Sequence, residues 1–321
     1  MEKRCRKEDG WMMKKMISTK GLSTEEWLRY RRLGIGGSDA ATILGINPYN
    51  SILRLWEDKT GRYPVEETEN EYTHFGHVME PIIRREFERR TAYRVRRSNF
   101  ILQSTEYPFM LADLDGITRD DEGNLCIWEA KTASEFKRTV WEKEIPEEYM
   151  AQLQHYLAVT GYQKAYICAV VGGNSFYCHE IQRDETYISK LIDMEKNFWD
   201  CVLTGIPPKP DGAAATASYL GEKYKAGQKS EIILPHDAEQ LVETYGKLEE
   251  SIRHLKTQKE TVSNQLKAML GEHETGRTKH HIVSWKTIVK HTTDVDKVKE
   301  HLGEAYKDCL KESSYRKFSV A

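Results

Sequence analysis

The sequence predicts an α+β domain followed by a helical module, and three observations carry that prediction. Between residues 94 and 181, short strand-like runs alternate with segments of helical period. The cluster Pro207-Pro208-Lys209-Pro210 then reads as a linker, extended by residues 211–217. Beyond it Leu241, Tyr245, Leu248, Ile252, Leu255, Val262, Leu266 and Met269 step by alternating fours and threes, interrupted by Lys259. That is the period of a coiled coil or helical hairpin. The predicted organisation is a basic tail over 1–20, an α+β domain over 21–210 and a C-terminal module over 211–321, with its long helix at about 236–270.

Each element has a local cause. Ser23-Thr24-Glu25-Glu26 is a capping box, and the helix it opens runs through Trp27 and Leu28 to Leu33. Gly34-Ile35-Gly36-Gly37 breaks it, and Ser38-Asp39 starts a short helix through Ile43 and Leu44 that Gly45 and Pro48 stop. Residues 51–59 form another, ended by Gly61, and 62–73 are acidic and turn-like. Pro81 suits a first helical turn, with Ile82, Ile83 and Phe87 following at helical spacing to about Arg90. Strands are expected at 94–101, 110–118 and 125–131. A helix over 147–160 closes at Gly161, a residue suited to a left-handed cap. Strands at 164–171 and 175–181 and a helix at about 186–203 complete the domain. The C-terminal module adds a β-like segment at 281–289, an amphipathic helix at 294–302 and a strand-like tail at 316–320.

Composition excludes several classes. No run approaches the roughly 18 apolar residues of a membrane helix, and the basic N-terminus lacks the apolar core of a secretory signal. Cys5, Cys126, Cys168, Cys178, Cys201 and Cys309 are scattered with no CxxC pair, which argues against a disulfide framework, a zinc ribbon and an iron–sulfur cluster. An intracellular, reducing compartment is the expectation. Lys plus Arg number 48 against 50 Asp plus Glu, a net charge of −2. Nucleic-acid binding must therefore come from a local basic face and metal ions, not from bulk charge.

The informative segment is Met110-Leu-Ala-Asp113-Leu-Asp115-Gly116 followed by Leu125-Cys-Ile-Trp-Glu129-Ala130-Lys131. If Asp120 and Asn124 flank a three-residue hairpin loop, the register sets Asp115 opposite Glu129, about 5 Å apart at Cβ. Alternation puts Lys131 on the same face. Two carboxylates and an ammonium facing one another are costly without a cation between the acids, and carboxylate oxygens suit Mg²⁺ or Mn²⁺. A cross-strand ion pair on a surface hairpin is the plainer alternative. Gln152 and Tyr156 lie four apart on the helix after the hairpin, with Tyr149 three before Gln152, so they share a face.

Together these residues resemble the PD-(D/E)XK nuclease superfamily: Asp115-Gly116 ending one strand, Glu129-x-Lys131 on the next, Gln152-x₃-Tyr156 on the following helix. The resemblance is greatest to the branch containing phage lambda exonuclease and the YqaJ-like viral recombinases. Arg32-Leu-Gly-Ile-Gly-Gly-Ser38-Asp39 is similar to that branch's N-terminal motif, Gly76-x₃-Glu80 to its acidic helix motif, and 149–154 to the run around its helix glutamine. The match spans roughly residues 22–203 in consistent order, and five weak motifs in sequence make a strong one.

The resemblance implies a restriction-endonuclease-like α/β/α core with a mixed central sheet. It assigns Asp115 and Glu129 to a catalytic Mg²⁺ (Mn²⁺ as substitute), helped by the Ala130 carbonyl. Lys131 would position the attacking water, Glu80 would serve a second metal or the water, and Gln152 and Tyr156 would fix the network. Arg32 and Ser38 would form the 5′-phosphate pair, with the spacing leaving Arg31 as the alternative to Arg32. The implied activity is exonucleolytic digestion of linear duplex DNA, 5′ to 3′, giving 3′ overhangs for a single-strand annealing protein. A ring trimer and a phage or prophage origin in the bacterial cytoplasm are also implied. Arg84, Arg85, Arg89, Arg90, Arg94, Arg96 and Arg97 either follow the DNA backbone or form a solvated face paired with Glu86 and Glu88. His74 and His77 are read as solvated or core residues outside the site. The rival functions are an endonuclease on the same core and a non-catalytic recombination adaptor.

Overall fold

Residues 6–7, 10–64, 70–311 and 315–320 are described by the computed structural model, and the chain divides into two units, Met1–Lys223 and Tyr224–Ala321. The first holds β1 (Arg6–Lys7), β2 (Gly10–Trp11), β3 (Met13–Ser18), α1 (Thr24–Arg31), α2 (Gly37–Ile43), α3 (Ile52–Lys59), α4 (Glu71–Thr91), β4 (Arg96–Arg97), β5 (Phe100–Ser104), β6 (Leu111–Asp113), β7 (Gly116–Arg119), β8 (Leu125–Ala133), α5 (Arg138–Trp141), α6 (Glu147–Thr160), β9 (Lys164–Val171), β10 (Ser175–Gln182), α7 (Glu185–Thr204) and α8 (Ala214–Lys223).

The central sheet has the order β10-β9-β8-β7-β4. Strands β8 and β9 are parallel and the other pairs antiparallel, so the sheet is mixed and the α+β class holds. A helix covers each face. Alternation along β8 sends Cys126 and Trp128 to one side, where Ile83 and Phe87 of α4 pack on them with Tyr166 and Cys168. It sends Ile127 to the other, against Leu153 and Leu157 of α6 together with Ala165, Ile167 and Ala169 of β9. Glu129 and Lys131 follow Ile127 at steps of two and therefore face α6. The parallel β8–α6–β9 unit is what brings α6 over that face. Buried His155 ties α6 to its neighbours: Nε2 donates to the Leu111 carbonyl at 2.8 Å, and Nδ1 lies 2.7 Å from Glu195 of α7.

Capping works as read. The Ser23 hydroxyl accepts from the Glu26 N–H and the Glu26 carboxylate from the Ser23 N–H, and Gly161 closes α6 at φ 72°. Several expectations give way. The tail over 1–20 contains β3, which pairs with β5 in a three-stranded sheet β3-β5-β6; residues 1–5, Cys5 among them, and 8–9 lie outside the described residues. Pro81 sits in the middle of α4, because the Asn70 side chain caps the Tyr72 and Thr73 N–H groups and starts the helix ten residues earlier than Pro81 suggested. Of the acidic stretch 62–73, residues 65–69 lie outside the described residues. The single strand over 110–118 is two strands: β6 pairs with β5, then the chain crosses at Leu114-Asp115 into β7 of the central sheet. The domain boundary moves from 210 to 223, since α8 packs on α3 with Tyr219 and Lys223 both bonded to Glu57.

The second unit contains α9 (Ala238–Leu270), the hairpin β11 (Thr275–Arg277)–β12 (Ile282–Ser284) and α10 (Val295–Leu302). Only 282–284 of the β-like segment is strand, and the tail at 316–320 is not; its Phe318 instead meets Tyr245 of α9 edge-on at 5.7 Å. Among the described residues the cysteines are free thiols, and no helix is long and apolar enough to cross a membrane.

Gly116 is required where β7 begins. A Cβ there would lie 2.5 Å from Val95 Cγ1 and 3.2 Å from the Arg96 carbonyl oxygen, and a valine side chain has little rotamer freedom with which to retreat. Gly116→Ala is expected to cost about 1–3 kcal/mol, the range for overpacking a tight site. Urea denaturation should show the lower midpoint; an unchanged midpoint would contradict the packing described here.

Candidate active site

The crossing from β6 to β7 leaves Asp115 at a bend rather than inside a strand, and there its Oδ2 accepts the Ala130 N–H at 2.9 Å. The hairpin register is the predicted one, with Gly116 opposite Trp128 and Arg119 opposite Leu125. Asp115 and Glu129 therefore meet across the end of the ladder. Glu129 is 3% exposed. Its Oε1 accepts from Lys131 Nζ at 2.8 Å and from Gln152 Nε2 at 2.7 Å, and Gln152 lies 3.2 Å from the Tyr156 hydroxyl. Glu129 Oε2 is buried with no hydrogen-bond partner among the described residues.

Electrostatics explain why this group is unusual. Burial first, and the Asp115 charge second, push the Glu129 carboxyl up to about 8 against the pull of Lys131. Burial also raises Asp115, opposed by Lys131 and by the Ala130 N–H. On α4, Glu80 is raised by burial and then by Asp115, with Arg97 Nη2 at 3.8 Å from it. Burial alone would discharge Lys131, but Glu129 and then Asp115 hold the ammonium above its ordinary value. The Lys131 ammonium also stands 4.9 Å from the Tyr149 ring centroid.

A second cluster lies at the glycine loop before α2. Ile35 N–H donates to the Phe109 carbonyl at 2.6 Å and the Leu111 N–H returns to the Ile35 carbonyl at 2.8 Å, which laces the loop to the start of β6. Gly37 lies so close to α6 that a Cβ would stand 2.5 Å from the Tyr156 ring and 2.9 Å from Gln152 Cγ. Ser38 accepts from Arg31 Nη2 at 2.7 Å. The assignment of Arg32 to this pair is corrected: its guanidinium is turned to Asp58 at 2.8 Å and to the Tyr63 carbonyl at 2.7 Å. Neighbouring residues at a helix end point about 100° apart, so only one of the two arginines reaches the loop.

The structure thus brings together Asp115, Glu129, Lys131, Gln152 and Tyr156, with Glu80 beside Asp115 and Ser38 in the first turn of α2. The Ala130 N–H is the donor to Asp115 Oδ2. Asp113 belongs to a different contact, accepting from Trp27 Nε1 at 2.6 Å. Sequence reasoning missed Arg97 and His77 as neighbours of the acids; both lie near enough to act on Asp115 and Glu80. The signal for His77 was its place three residues before Glu80 on one helix face. Among the described residues no three His, Cys, Asp or Glu side chains form a ready-made metal cluster. Glu129 Oε2 is the carboxylate oxygen at this site left without a hydrogen-bond partner among the described residues.

These shifts set the sign of a pH effect. With Glu129 raised from 4.5 to about 8, the metal-free folded chain holds a proton that the unfolded chain has lost. Its contribution to stability therefore falls as pH rises through that window. In the presence of chelator, Glu129→Gln should raise the melting temperature relative to the parent protein by more at pH 8.5 than at pH 5. An equal difference at the two pH values would contradict a buried carboxylate penalty.

The description "YqaJ-like viral recombinase domain" matches residues 26–163. The protein YqaJ of Bacillus subtilis (strain 168) is 38% identical over 304 residues, covering 93% of this chain and 94% of that protein. Among solved structures, an alkaline exonuclease from Laribacter hongkongensis aligns at 20% identity with a TM-score of 0.49, over 63% of this chain and 98% of that one. A phage-related exonuclease from Haemophilus somnus 129PT aligns at 13% identity with a TM-score of 0.40, over 56% and 99%. On the strength of the near full-length Bacillus relative, the chain belongs to the YqaJ-like viral recombinase family.

Proposed function

We propose that the protein is a Mg²⁺-dependent exonuclease that digests linear double-stranded DNA from its ends, 5′ to 3′, leaving 3′ overhangs for a single-strand annealing protein. The observation that carries this reading is the buried Glu129, facing the Asp115 charge and bonded to Lys131 through Oε1, with its Oε2 buried and without a hydrogen-bond partner among the described residues. Asp115, Glu129 and the Ala130 carbonyl are hard oxygen donors that would hold Mg²⁺, or Mn²⁺ in its place, with Glu80 nearby. A small protein donor set suits Mg²⁺, which keeps several of its waters. When bound, the ion would neutralise charge on the scissile phosphate and acidify the attacking water.

The side chains supply the rest. Lys131, held as an ammonium beside Glu129, would donate a hydrogen bond that orients the reacting water toward phosphorus. As the water oxygen bonds to phosphorus and the P–O bond to the leaving 3′ oxygen breaks, the water's proton passes to bulk solvent and the 3′ oxygen is protonated from solvent. Gln152 holds Glu129 Oε1 so that Oε2 faces the site, and Gln152 is itself held against Tyr156. Arg31 and Ser38 bind the terminal 5′-phosphate, which selects the strand end. The family description supports a place in recombination, and a homo-oligomeric ring, a trimer, would keep the enzyme on its duplex. We place it in the cytoplasm of a bacterial host, phage or prophage encoded.

Linear duplex, closed circular duplex and single strands incubated with Mg²⁺ or with chelator test the reading. Linear duplex alone should be degraded, and only with the metal; cleavage in chelator removes the metal mechanism, and attack on closed circles makes the enzyme an endonuclease. Asp115→Ala and Lys131→Ala should each lower cleavage by about 10³-fold or more, the scale of losing a principal electrostatic group, with the fold retained by circular dichroism. Arg31→Ala should abolish the preference for 5′-phosphorylated ends, whereas Arg32→Ala should keep it and lower the melting temperature instead.

A further inference from the structure

Beneath the glycine loop lies a buried lysine that the mechanism leaves unused. Lys59, in the last turn of α3, has a side chain only 2% exposed. Its Nζ donates to Asp39 Oδ2 at 2.7 Å and to the Arg31 carbonyl at 2.9 Å. Asp39 Oδ2 in turn accepts the Gly36 N–H at 2.9 Å. One ammonium thus joins the end of α1, the first turn of α2 and the loop between them.

A buried ion pair is weak evidence for stability, because apolar residues of similar volume often serve as well. Charge arithmetic offers a better reason for it. Asp39 feels both Lys59 and Arg31, and the Gly36 backbone stands between them: a Cβ there would lie 3.2 Å from Arg31 Nη2 and 3.6 Å from Asp39 Oδ2. Without Lys59, the carboxylate of Asp39 would have Arg31 as its nearest cation.

We infer that Lys59 is a positioning residue that occupies Asp39 and so leaves the Arg31 guanidinium free, beside Ser38, for the 5′-phosphate of a DNA end. This rests on the reading of Arg31 and Ser38 as the phosphate pair. Removing the ammonium while keeping Asp39 turns Arg31 inward; removing both charges frees it again.

The test is binding of fluorescent duplexes with 5′-phosphate or 5′-hydroxyl ends, followed by anisotropy in chelator so that nothing is cleaved. The parent protein should prefer phosphorylated ends. Lys59→Met should weaken binding of phosphorylated duplex about tenfold or more, the worth of one charge-assisted hydrogen bond, and that of hydroxyl duplex hardly at all. Lys59→Arg should retain the preference. The deciding variant is Asp39→Asn with Lys59→Met, which leaves no unpaired buried charge and should recover the preference; it also answers the question if Lys59→Met alone fails to fold. A double variant as blind to the phosphate as the single one, or a Lys59→Met protein that keeps its preference, overturns the inference. A parent protein with no preference overturns the phosphate reading itself.

Discussion

Two carboxylates at the end of a hairpin, both out of water, repel one another. The surrounding structure exists to hold them in place despite that repulsion. Asp115 is anchored by a backbone N–H and Glu129 by an ammonium and an amide. Each anchor stabilises the charged form, and none removes the cost of burial, which still raises both groups. The result is a pair that favours a proton or a cation, with one Glu129 oxygen left facing the need. A stable fold does not require such a pair; apolar residues would pack there at lower cost. The expense is a reason to read function.

Helix α6 is the element through which the two clusters share a geometry. Its core positions point different ways: Gln152, backed by Tyr156, toward Glu129, and His155 toward Glu195 and the Leu111 carbonyl. The glycine loop touches the same helix at Gly37, where the absence of a side chain lets backbone meet the Tyr156 ring. Interiors are close-packed, so a contact of this kind transmits position without slack. The arginine–serine pair is therefore set at a fixed offset from the carboxylates by one shared wall. The proposed seating of a strand end and a scissile bond together needs that rigidity.

Most of this was legible because it depends on spacing. The five residues from Asp120 to Asn124 fixed the hairpin register, and the register alone placed Asp115 opposite Glu129 and Lys131 beside it. Helical period placed Gln152 and Tyr156 together. What escaped depends on rotation or on tertiary company. Whether Arg31 or Arg32 meets Ser38 turns on a single step around the end of α1, and Asp58 on another helix decides it. Pro81 looked like a helix start because nothing before it in the sequence advertises Asn70 as strongly. The break at Leu114-Asp115 was invisible because both halves read as strand, and only the pairing with β5 or with β8 tells them apart.

The arginine-rich segment shows how tertiary pairing revises a charge count. Arg89 and Arg90 are both bonded to Glu86, and Arg94, just beyond α4, lies 3.6 Å from Glu88, so these three cations are all engaged by carboxylates of the helix. Arg97 is different. Its residue in β4 pairs with Gly116, next to Asp115, and its guanidinium stands 3.8 Å from Glu80. It therefore lies where the acids are, and it lowers the cost of their charge rather than adding to a general basic surface. In a chain of net charge −2, attraction for a polyanion has to be built this way, from a few cations set at the reacting groups. Such a design favours recognition of a single anionic group over loose adhesion along a polyanion.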